Sequence, residues 1–423
     1  MIPLSVEEVR RLAGGDLRAR EDTVTGVTVD SRAAGPGDLF VAIGRGREFA
    51  DDAFERGAAA ALLSDDPFAA LAALARAVRD RSEARVAAVT GSVGKTSTKD
   101  ILAALCRPHG RTIAAEAGYN NEVGLPLTLL RVEPDTEVVV AEMGMRGLGQ
   151  IEALCRVARP EVGVITAVGP VHLELLGTVE RVAQAKAELV ASLPAGGTGV
   201  VPSDAPELEP HLRRDDIDLV RFGPGGDVRL VAFDPPRLAA DVRGTLVELE
   251  VPFGAEHHAH NALAALSAYA ALGLPLDRAG EGAPEIRFSR LRGEEIELPG
   301  GALLVNDAWN ANPVSMRAAL GDLVRRAAGG RSVAVLGEMA ELGEGALRFH
   351  EEVGAAAREL GVDVVFAVGG DLAARYGGTL LATPEEAAER LRELLEPDDV
   401  VLVKGSRVAR MEAVADALVG ARA

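Results

Sequence analysis

The residues with the clearest chemistry form one glycine-rich run, Thr90-Gly91-Ser92-Val93-Gly94-Lys95-Thr96-Ser97-Thr98-Lys99. The backbone N–H groups of such a turn, together with the positive end of a following helix, attract phosphate oxygens, and a lysine adds charge. A threonine hydroxyl directly after the lysine can bind Mg2+. The run therefore predicts a nucleotide-phosphate site made of Gly91, Ser92, Val93, Gly94, Lys95, Thr96 and Ser97.

Apolar residues on both sides of this run predict the elements that must hold it. Residues 86–89 are typical of a buried strand, and residues 100–105 are typical of a helix. In the commoner phosphate loop a glycine stands at the position that Val89 occupies here, so this chain carries a shorter form of the loop. A strand, a charged glycine-rich turn and a helix in this order favour phosphate binding over a purely structural turn.

Three further residues have side chains that could serve the same site. Glu142 ends an apolar strand over 138–141, and a carboxylate beside phosphates commonly binds Mg2+. His172 follows a second strand over 162–168, and Lys186 lies on an amphipathic helical stretch. Residue type and spacing alone leave a solvated glutamate, a structural histidine and a surface lysine as open alternatives.

The length of 423 residues suits about three domains, since domains commonly contain about 150 residues. Residues 1–84 mix short strands and helices, with one strand predicted over 26–32, and residues 85–290 alternate strand and helix as a parallel sheet requires. Residues 213–252 predict an antiparallel insertion. Residues 291–423 repeat the strand–helix alternation. The predicted fold class is α/β, with a parallel-sheet phosphate-loop domain between an N-terminal α/β domain and a Rossmann-like C-terminal domain.

The amino-acid composition limits the kinds of molecule that this chain is expected to bind. The net charge of −19 and the pI near 4.9 argue against nucleic acid and anionic membranes. Cys106 and Cys155 have no CxxC neighbours, which disfavours disulfide frameworks and thiolate zinc sites. The N-terminus carries charges where a signal peptide needs an apolar core, and no long apolar run follows. We therefore expect a cytoplasmic protein without membrane insertion.

Several runs occur in the order in which the Mur ligases carry them, and the shortened phosphate loop is typical of these ligases and of folylpolyglutamate synthetases. After the loop come residues 119–130, Glu142-Met143-Gly144, His172-Leu173, and residues 185–188, 261–265, 306–313, 336–343 and 403–407. The chain therefore resembles a Mur ligase over nearly its whole length, from Ser31 to Glu412.

The resemblance implies an ATP-dependent peptide ligation in peptidoglycan precursor synthesis. The runs at 310–313 and 336–343 resemble those of the dipeptide-adding members. In these members, ATP converts the terminal carboxylate of UDP-N-acetylmuramoyl-tripeptide into an acyl phosphate, which the amine of D-Ala-D-Ala attacks. The implied units are a UDP-substrate-binding domain (1–84), an ATP-binding domain (85–290) and a ligase domain (291–423), in a chain expected to be a monomer.

The resemblance also implies a role for each matched residue. The catalytic group would contain Lys95, Glu142, His172 and Lys186. Two Mg2+ ions would be held by Thr96, Glu142, His172 and Lys186, the lysine after reaction with CO2 to a carbamate. Nucleotide contacts beyond the loop are implied for Asn261, Arg292 and Asp307. Substrate contacts are implied for Ser31, Arg32, Asn120, Asn121, Asn310, Lys404, Ser406 and Arg407.

Three departures from the family pattern bear on these implications. Ala50-Asp51-Asp52 stands where the family usually has Asp-Gly-His, which leaves the N-terminal uridine contacts open. Trp309 replaces a tyrosine, and both side chains can stack on a purine. His258 replaces an asparagine three positions before Asn261, so we expect the adenine pocket to differ in detail.

Three other functions are alternatives. A Mur ligase that adds diaminopimelate or lysine shares the ATP site, but the diaminopimelate form usually carries an Asp-Asn-Pro-Arg signature that this chain lacks. A folylpolyglutamate synthetase would lack the N-terminal domain with Asp30-Ser31-Arg32. A scaffold that only binds nucleotide would not need Lys95, Glu142, His172 and Lys186 together. The sequence leaves open the third residue of the tripeptide and the resting arrangement of the domains.

Overall fold

The computed structural model describes residues 1–116 and 118–420 as successive α/β units. Residues 421–423, which the sequence assigns to the C-terminal unit, lie outside the described residues. Within the described residues the larger sheets contain four, nine and six strands in chain order. The predicted α/β class, with a largely parallel central sheet, is confirmed.

The first unit is a small sheet with helices beside it. Its elements are β1 (Leu4–Ser5), α1 (Val6–Ala13), β2 (Asp16–Ala19), β3 (Thr23–Val24), β4 (Gly26–Thr28), β5 (Asp38–Val41), α2 (Ala50–Glu55), β6 (Ala60–Leu63) and α3 (Pro67–Arg79). The larger sheet has the order β2-β6-β5-β4. The strand predicted over 26–32 ends at Thr28, because the Asp30 carboxylate accepts a hydrogen bond from the Arg32 N–H at 3.0 Å and starts a 3-10 turn.

The second unit is built on the largest sheet. Its strands are β7 (Arg85–Thr90), β8 (Arg111–Ala114), β9 (Thr136–Glu142), β10 (Val162–Ile165), β11 (Thr198–Pro202), β12 (Asp218–Phe222), β13 (Val228–Asp234), β14 (Arg237–Val242) and β15 (Thr245–Glu250). Its helices are α4 (Lys95–Cys106), α5 (Gly124–Leu129), α6 (Gln150–Ala158), α7 (Leu173–Leu176), α8 (Val179–Ala191) and α9 (Glu256–Ala271).

The strand order of this sheet explains where a ligand can bind. The order is β15-β14-β13-β12-β11-β10-β7-β9-β8, so the chain crosses from one side of β7 to the other between β9 and β10. In open parallel sheets, ligands bind at the carboxyl edge where the strand order reverses. The glycine-rich run joins the carboxyl end of β7 to α4 and therefore lies at that point.

The antiparallel insertion predicted over 213–252 is only partly correct. β12 lies parallel to β11 and extends the parallel sheet, whereas β13, β14 and β15 form an antiparallel edge. In β12 only Val220 and Phe222 are buried. Such alternation shows that one face of a strand is covered, and it does not specify the direction of the neighbouring strand.

The third unit repeats the α/β pattern. Its strands are β16 (Glu294–Glu297), β17 (Leu303–Asp307), β18 (Ser332–Gly337), β19 (Val364–Val368), β20 (Thr379–Leu381) and β21 (Val400–Lys404), and its helices are α10 (Pro313–Arg326), α11 (Ala346–Leu360), α12 (Pro384–Leu394) and α13 (Glu412–Val419). The order is β16-β17-β21-β18-β19-β20, antiparallel only between β16 and β17 within the described residues. The register of β17 and β21 places Asp307 opposite Lys404 at the carboxyl edge.

The boundaries between the units are packed differently. Leu39 and Leu71 of the first unit belong to the same buried cluster as Val139 and Leu154 of the second, so one apolar core crosses that boundary. The third unit has its own clusters, with Leu173 of the second unit at the edge of one.

No helix among the described residues is long and apolar enough to cross a lipid bilayer.

Gly354 in α11 and Gly321 in α10 give a matched test of packing in the third unit. A Cβ added at Gly354 would stand 2.2 Å from the Tyr376 carbonyl oxygen, whereas one added at Gly321 would meet no atom within 4 Å. We expect Gly354→Ala to lower the free energy of unfolding by about 1–3 kcal/mol through overpacking. Gly321→Ala should raise it by up to about 1 kcal/mol, because alanine favours helix. Urea unfolding measures both, and equal effects would contradict this packing.

Candidate active site

The phosphate loop is pressed against two neighbouring segments where only glycine fits. Gly91 and Gly94 have φ angles of +152° and +80°, which favour glycine. A Cβ at Gly91 would stand 1.9 Å from Thr166 Oγ1, and one at Gly94 would stand 2.3 Å from Asn261 Oδ1. Lys95 Nζ donates to the Gly91 carbonyl oxygen at 2.7 Å, so this cation folds back over its own loop.

Two hydroxyl groups fasten the loop to the segment that follows β10. The Ser92 hydroxyl accepts a hydrogen bond from the Gly169 N–H at 3.0 Å and lies 3.2 Å from the Gly169 carbonyl oxygen. The Thr166 hydroxyl donates to the Thr90 carbonyl oxygen at 3.2 Å. Sequence reasoning missed Thr166, because it becomes a neighbour of the loop only through the pairing of β10 with β7.

Glu142 ends β9 beside the loop, and its carboxylate fits a divalent cation. β9 pairs with β7 so that Glu142 lies opposite Val89. Asn120 Nδ2 donates to Glu142 Oε1 at 2.9 Å. The other oxygen, Oε2, is buried and has no hydrogen-bond partner among the described residues. An unpaired buried carboxylate oxygen is costly, and Mg2+, which prefers oxygen ligands, would satisfy it.

Lys186 lies on α8 with only 2% of the residue exposed. Burial, reinforced by the positive charge of Lys95, lowers the pKa of the Lys186 amine well below its ordinary value. Burial also lowers the pKa of Lys95, against the opposing effect of the Glu142 carboxylate. A lowered pKa increases the neutral form of the Lys186 amine, which is the nucleophilic form.

His172 precedes α7 and contacts the third unit. Its Nδ1 is hydrogen-bonded to the Glu341 carboxylate. Burial lowers the pKa of His172, and the Glu341 carboxylate acts in the opposite direction. Because a carboxylate accepts the hydrogen bond, Nδ1 carries the proton and Nε2 keeps its lone pair for a metal.

A cavity of about 1110 Å3 lies between the second and third units. Its lining includes Ser92, Val93, Gly94, Lys95, Thr96, Ser97, Asn261, Arg292, Asp307, Asn310 and Lys404. Pockets for single small ligands usually have about 300–1,000 Å3, so this one has room for a nucleotide and the end of a second substrate. The structure thus brings together the phosphate loop, the predicted nucleotide contacts and two predicted substrate contacts.

On the third-unit side of the cavity, and next to it, polar and aromatic groups surround the buried Lys404. Lys404 Nζ donates to Asp307 Oδ2 at 2.5 Å and to the Asn310 carbonyl oxygen at 3.0 Å. Trp309 lies between two guanidinium groups, with Arg292 5.6 Å and Arg407 5.3 Å from its ring. These contacts hold the cations of the third unit in place before any substrate arrives.

Aromatic residues line another part of the same cavity, and of these sequence reasoning named His258 but missed Phe253 and Phe288. His258 stacks on Phe288 with ring centroids 4.0 Å apart, and Phe253 lies 5.7 Å from Phe288. Burial lowers the pKa of His258 well below its ordinary value, so its ring is neutral. Such a neutral aromatic wall suits a nucleotide base. Phe288 lies in no recognisable sequence motif, so only the fold shows that it lines the cavity.

Several predicted substrate residues lie outside this cavity. Ser31 and Arg32 are in the first unit, where the Arg32 guanidinium is 2.8 Å from the Asp30 carboxylate. The Asn121 side-chain oxygen accepts hydrogen bonds from the N–H groups of Val123 and Gly124 at 3.1 and 3.0 Å, at the start of α5. In the structure the Asn121 side chain therefore holds the turn that leads into α5. Its predicted substrate contact stays a prediction.

Comparison with known proteins agrees with this arrangement. Residues 89–269 match the model of the Mur ligase middle domain, and residues 288–407 match the model of the Mur ligase, glutamate ligase domain. The chain is similar to the UDP-N-acetylmuramoyl-tripeptide--D-alanyl-D-alanine ligase of Mycobacterium tuberculosis, with 34% identity over 99% of this chain and 98% of that protein.

Solved structures are similar over comparable lengths. MurF from Acinetobacter baumannii has a TM-score of 0.87 at 27% identity, covering 99% of this chain and 99% of that chain. MurF from Thermotoga maritima in complex with ADP has a TM-score of 0.82 at 29% identity, covering 94% of this chain and 98% of that chain.

Lys95→Ala tests the phosphate loop. Loss of a preorganised charge-stabilising group typically costs about 10^2-fold or more in turnover, so we expect ATP-dependent phosphate release to fall by at least that factor. Arg287→Ala is the control, because Arg287 lines the same cavity but donates to the Pro284 and Ile286 carbonyl oxygens. That variant should keep turnover close to that of the parent chain. Near-normal turnover of the Lys95 variant would contradict the assignment.

Proposed function

The chain belongs to the Mur ligase family, and from that premise we propose its reaction, the ATP-dependent ligation of D-Ala-D-Ala to UDP-N-acetylmuramoyl-tripeptide. The product is a peptidoglycan precursor. Full-length similarity to the tripeptide–D-alanyl-D-alanine ligases supports this choice within the family, and the similar ADP complex supports ATP as the nucleotide.

One observation in the structure carries the proposal. The phosphate loop and the Asp307–Lys404 pair line the same cavity, although they belong to different units. A ligase must bring a phosphorylated carboxylate to an incoming amine, and it must keep water away from that reactive group. A cavity lined by two units suits these needs, because the nucleotide phosphates would bind on the second-unit wall and the acceptor would reach them from the third unit.

The residues of the second unit would position the phosphates for transfer to the tripeptide carboxylate. Lys95 lies over the loop and would neutralise negative charge on the transferred group, while the loop N–H groups bind its oxygens. Asn120 holds one oxygen of Glu142 and leaves the other free for a cation. Bound Mg2+ would supply the charge neutralisation that lets a carboxylate approach the phosphates. Two such ions would be held by Thr96, Glu142, His172 and Lys186.

The residues of the third unit would handle the acceptor. Lys404 is buried and already hydrogen-bonded to Asp307 and Asn310, so its charge is fixed near the reacting carboxylate. Ser406 and Arg407 follow directly in the chain and would contact the end of the peptide. The amine nitrogen of D-Ala-D-Ala attacks the acyl carbon, an amide bond forms, and the C–O bond to phosphate breaks. The proton that the amine loses passes to the departing phosphate, which is released as hydrogen phosphate.

Lys186 would act as a carbamate. Its neutral amine adds to CO2 to give an N-carboxylate and a proton, which replaces a group that repels cations with one that binds them. The burial of Lys186 and its lowered pKa support this assignment, because they increase the reactive neutral form. The carbamate would complete an oxygen-rich site with Glu142 and His172.

The remaining assignments follow from the proposed reaction. Residues 1–84 would bind the UDP-sugar part through Ser31 and Arg32, residues 85–290 would bind ATP, and residues 291–423 would bind the acceptor. The substrates are cytoplasmic nucleotide compounds, so the chain would act in the cytoplasm. We expect the chain to act as a monomer.

Acceptor choice separates this proposal from a diaminopimelate-adding ligase. A site built to hydrogen-bond one ligand rejects analogues that lack those groups by about 10^4-fold or more. We therefore expect UDP-N-acetylmuramoyl-tripeptide to be ligated to D-Ala-D-Ala, with kcat/KM for diaminopimelate, L-Lys and L-Glu lower by about that factor. Phosphate release with each amine in turn measures this. Preference for diaminopimelate with the UDP-linked dipeptide would reject the proposed acceptor and keep the ATP chemistry.

Lys186→Ala tests the carbamate. We expect an almost inactive variant that acetate partly restores, because a free carboxylate can occupy the space of the missing group. Lys99→Ala is the control, since Lys99 is equally buried but lies 2.6 Å from the Asp100 carboxylate, and acetate should not rescue it. A carbamate signal in 13C NMR after 13C-bicarbonate addition should appear in the parent chain and vanish in Lys186→Ala. A parent chain that is active without this signal would contradict the carbamate.

A further inference from the structure

The segment after β18 reaches from the third unit into the metal-binding side of the second. Within this segment, Glu341 contacts two residues that lie on different loops of the second unit. Its carboxylate is hydrogen-bonded to His172 Nδ1, and its other oxygen is 3.3 Å from Arg146 Nη2. One side chain therefore connects a candidate metal ligand to the opposite unit.

The same segment is also fastened to the strand end that carries Lys404. The Ala340 N–H donates to Ser406 Oγ at 2.8 Å, and the Ser406 N–H donates to the Glu338 carbonyl oxygen at 2.9 Å. The contact made by Glu341 is thus continuous with the acceptor side of the cavity. A displacement of the third unit would move both together.

The backbone of this segment has a conformation that glycine would adopt more easily. Glu341 has a φ of +62°, in the left-handed region, although it has a full side chain. Nearby, a Cβ added at Gly343 would stand 3.2 Å from Glu174 Cα in the second unit. A glutamate held in a conformation that disfavours it, at a close approach between two units, indicates a requirement for its carboxylate.

We propose that Glu341 is a positioning residue for His172. Its carboxylate accepts the Nδ1–H across the boundary between the units, which leaves Nε2 as the metal-binding nitrogen while the third unit is docked. Carboxylate partners of this kind fix the tautomer and orientation of metal-ligating histidines. The inference rests on the proposed function in one respect, because it takes His172 as a ligand of Mg2+. It couples completion of the metal site to the closure of the cavity.

Glu341→Gly provides the decisive variant, because it removes the carboxylate and relieves the backbone strain at the same time. We expect its Tm to equal or exceed that of the parent chain. Its affinity for Mn2+, measured by EPR in the presence of a non-hydrolysable ATP analogue, should fall by about 10- to 100-fold. Glu341→Gln can still accept the Nδ1–H and should lose less. In steady-state assays, kcat should fall more than KM for ATP rises.

Two further variants serve as controls for the effect of Glu341→Gly. Glu344→Gln removes an exposed carboxylate from the same loop and should leave Mn2+ affinity unchanged. Gly343→Ala adds bulk at the close approach to Glu174 and should weaken Mn2+ binding although it removes no carboxylate. Parent-like Mn2+ affinity in Glu341→Gly would overturn the inference. An equal loss of Mn2+ affinity in Glu344→Gln would also overturn it, as would a loss of affinity in Glu341→Gly that accompanies a fall in its Tm.

The proposed reaction and this inference fail separately. If Glu341→Gly loses Mn2+ affinity but the parent chain forms no peptide bond with D-Ala-D-Ala, the proposed reaction is rejected and the positioning role is kept. If the parent chain ligates D-Ala-D-Ala but Glu341→Gly keeps the Mn2+ affinity of the parent, the proposed reaction is kept and the positioning role is rejected.

Discussion

The contact of the phosphate loop with Thr166 and Asn261 is the constraint on which the rest of the site depends. Because Gly91 and Gly94 leave no space for a side chain, β7, β10 and α9 must keep fixed relative positions. The parallel register then places Glu142 at the same sheet edge. The buried interiors of these strands therefore matter to the proposed chemistry, since a shift of one strand would separate the glycine-rich loop from the Glu142 carboxylate that we propose as a Mg2+ ligand.

The distribution of charge follows from this arrangement. The chain carries a net charge of −19, yet Lys95, Arg292 and Lys404 face one enclosed cavity. Buried cations are costly unless they have partners, and Lys404 has one in Asp307 at 2.5 Å. Burial lowers the pKa of both Lys95 and Arg292, against the opposing effect of nearby carboxylates such as Glu142. An anionic nucleotide would act in the same direction as these carboxylates, while the acidic exterior would repel other polyanions.

The sequence made the local parts of this site predictable, because the phosphate loop, the strand before it and the helix after it are neighbours in the chain. It also allowed Glu142 and Lys404 to be placed at strand ends. The parallel direction of β12 was not predictable, since alternation carries no information on the neighbouring strand. Phe288 has no motif around it. The partner of His172 was beyond prediction for another reason, because Glu341 is 169 positions away and meets it only when two units pack together.

The apolar core shared by the first two units has a mechanical consequence. Separation of those units would expose leucines such as Leu39 and Leu71 to water. Separation of the third unit would break polar contacts that water can replace, such as that of Glu341 with His172, and would expose Leu173 at the edge of its core. The segment that joins the second and third units contains left-handed φ angles at Leu291 and Gly293, +62° and +71°. The boundary between the second and third units is therefore where we expect the cavity to open for substrates and products.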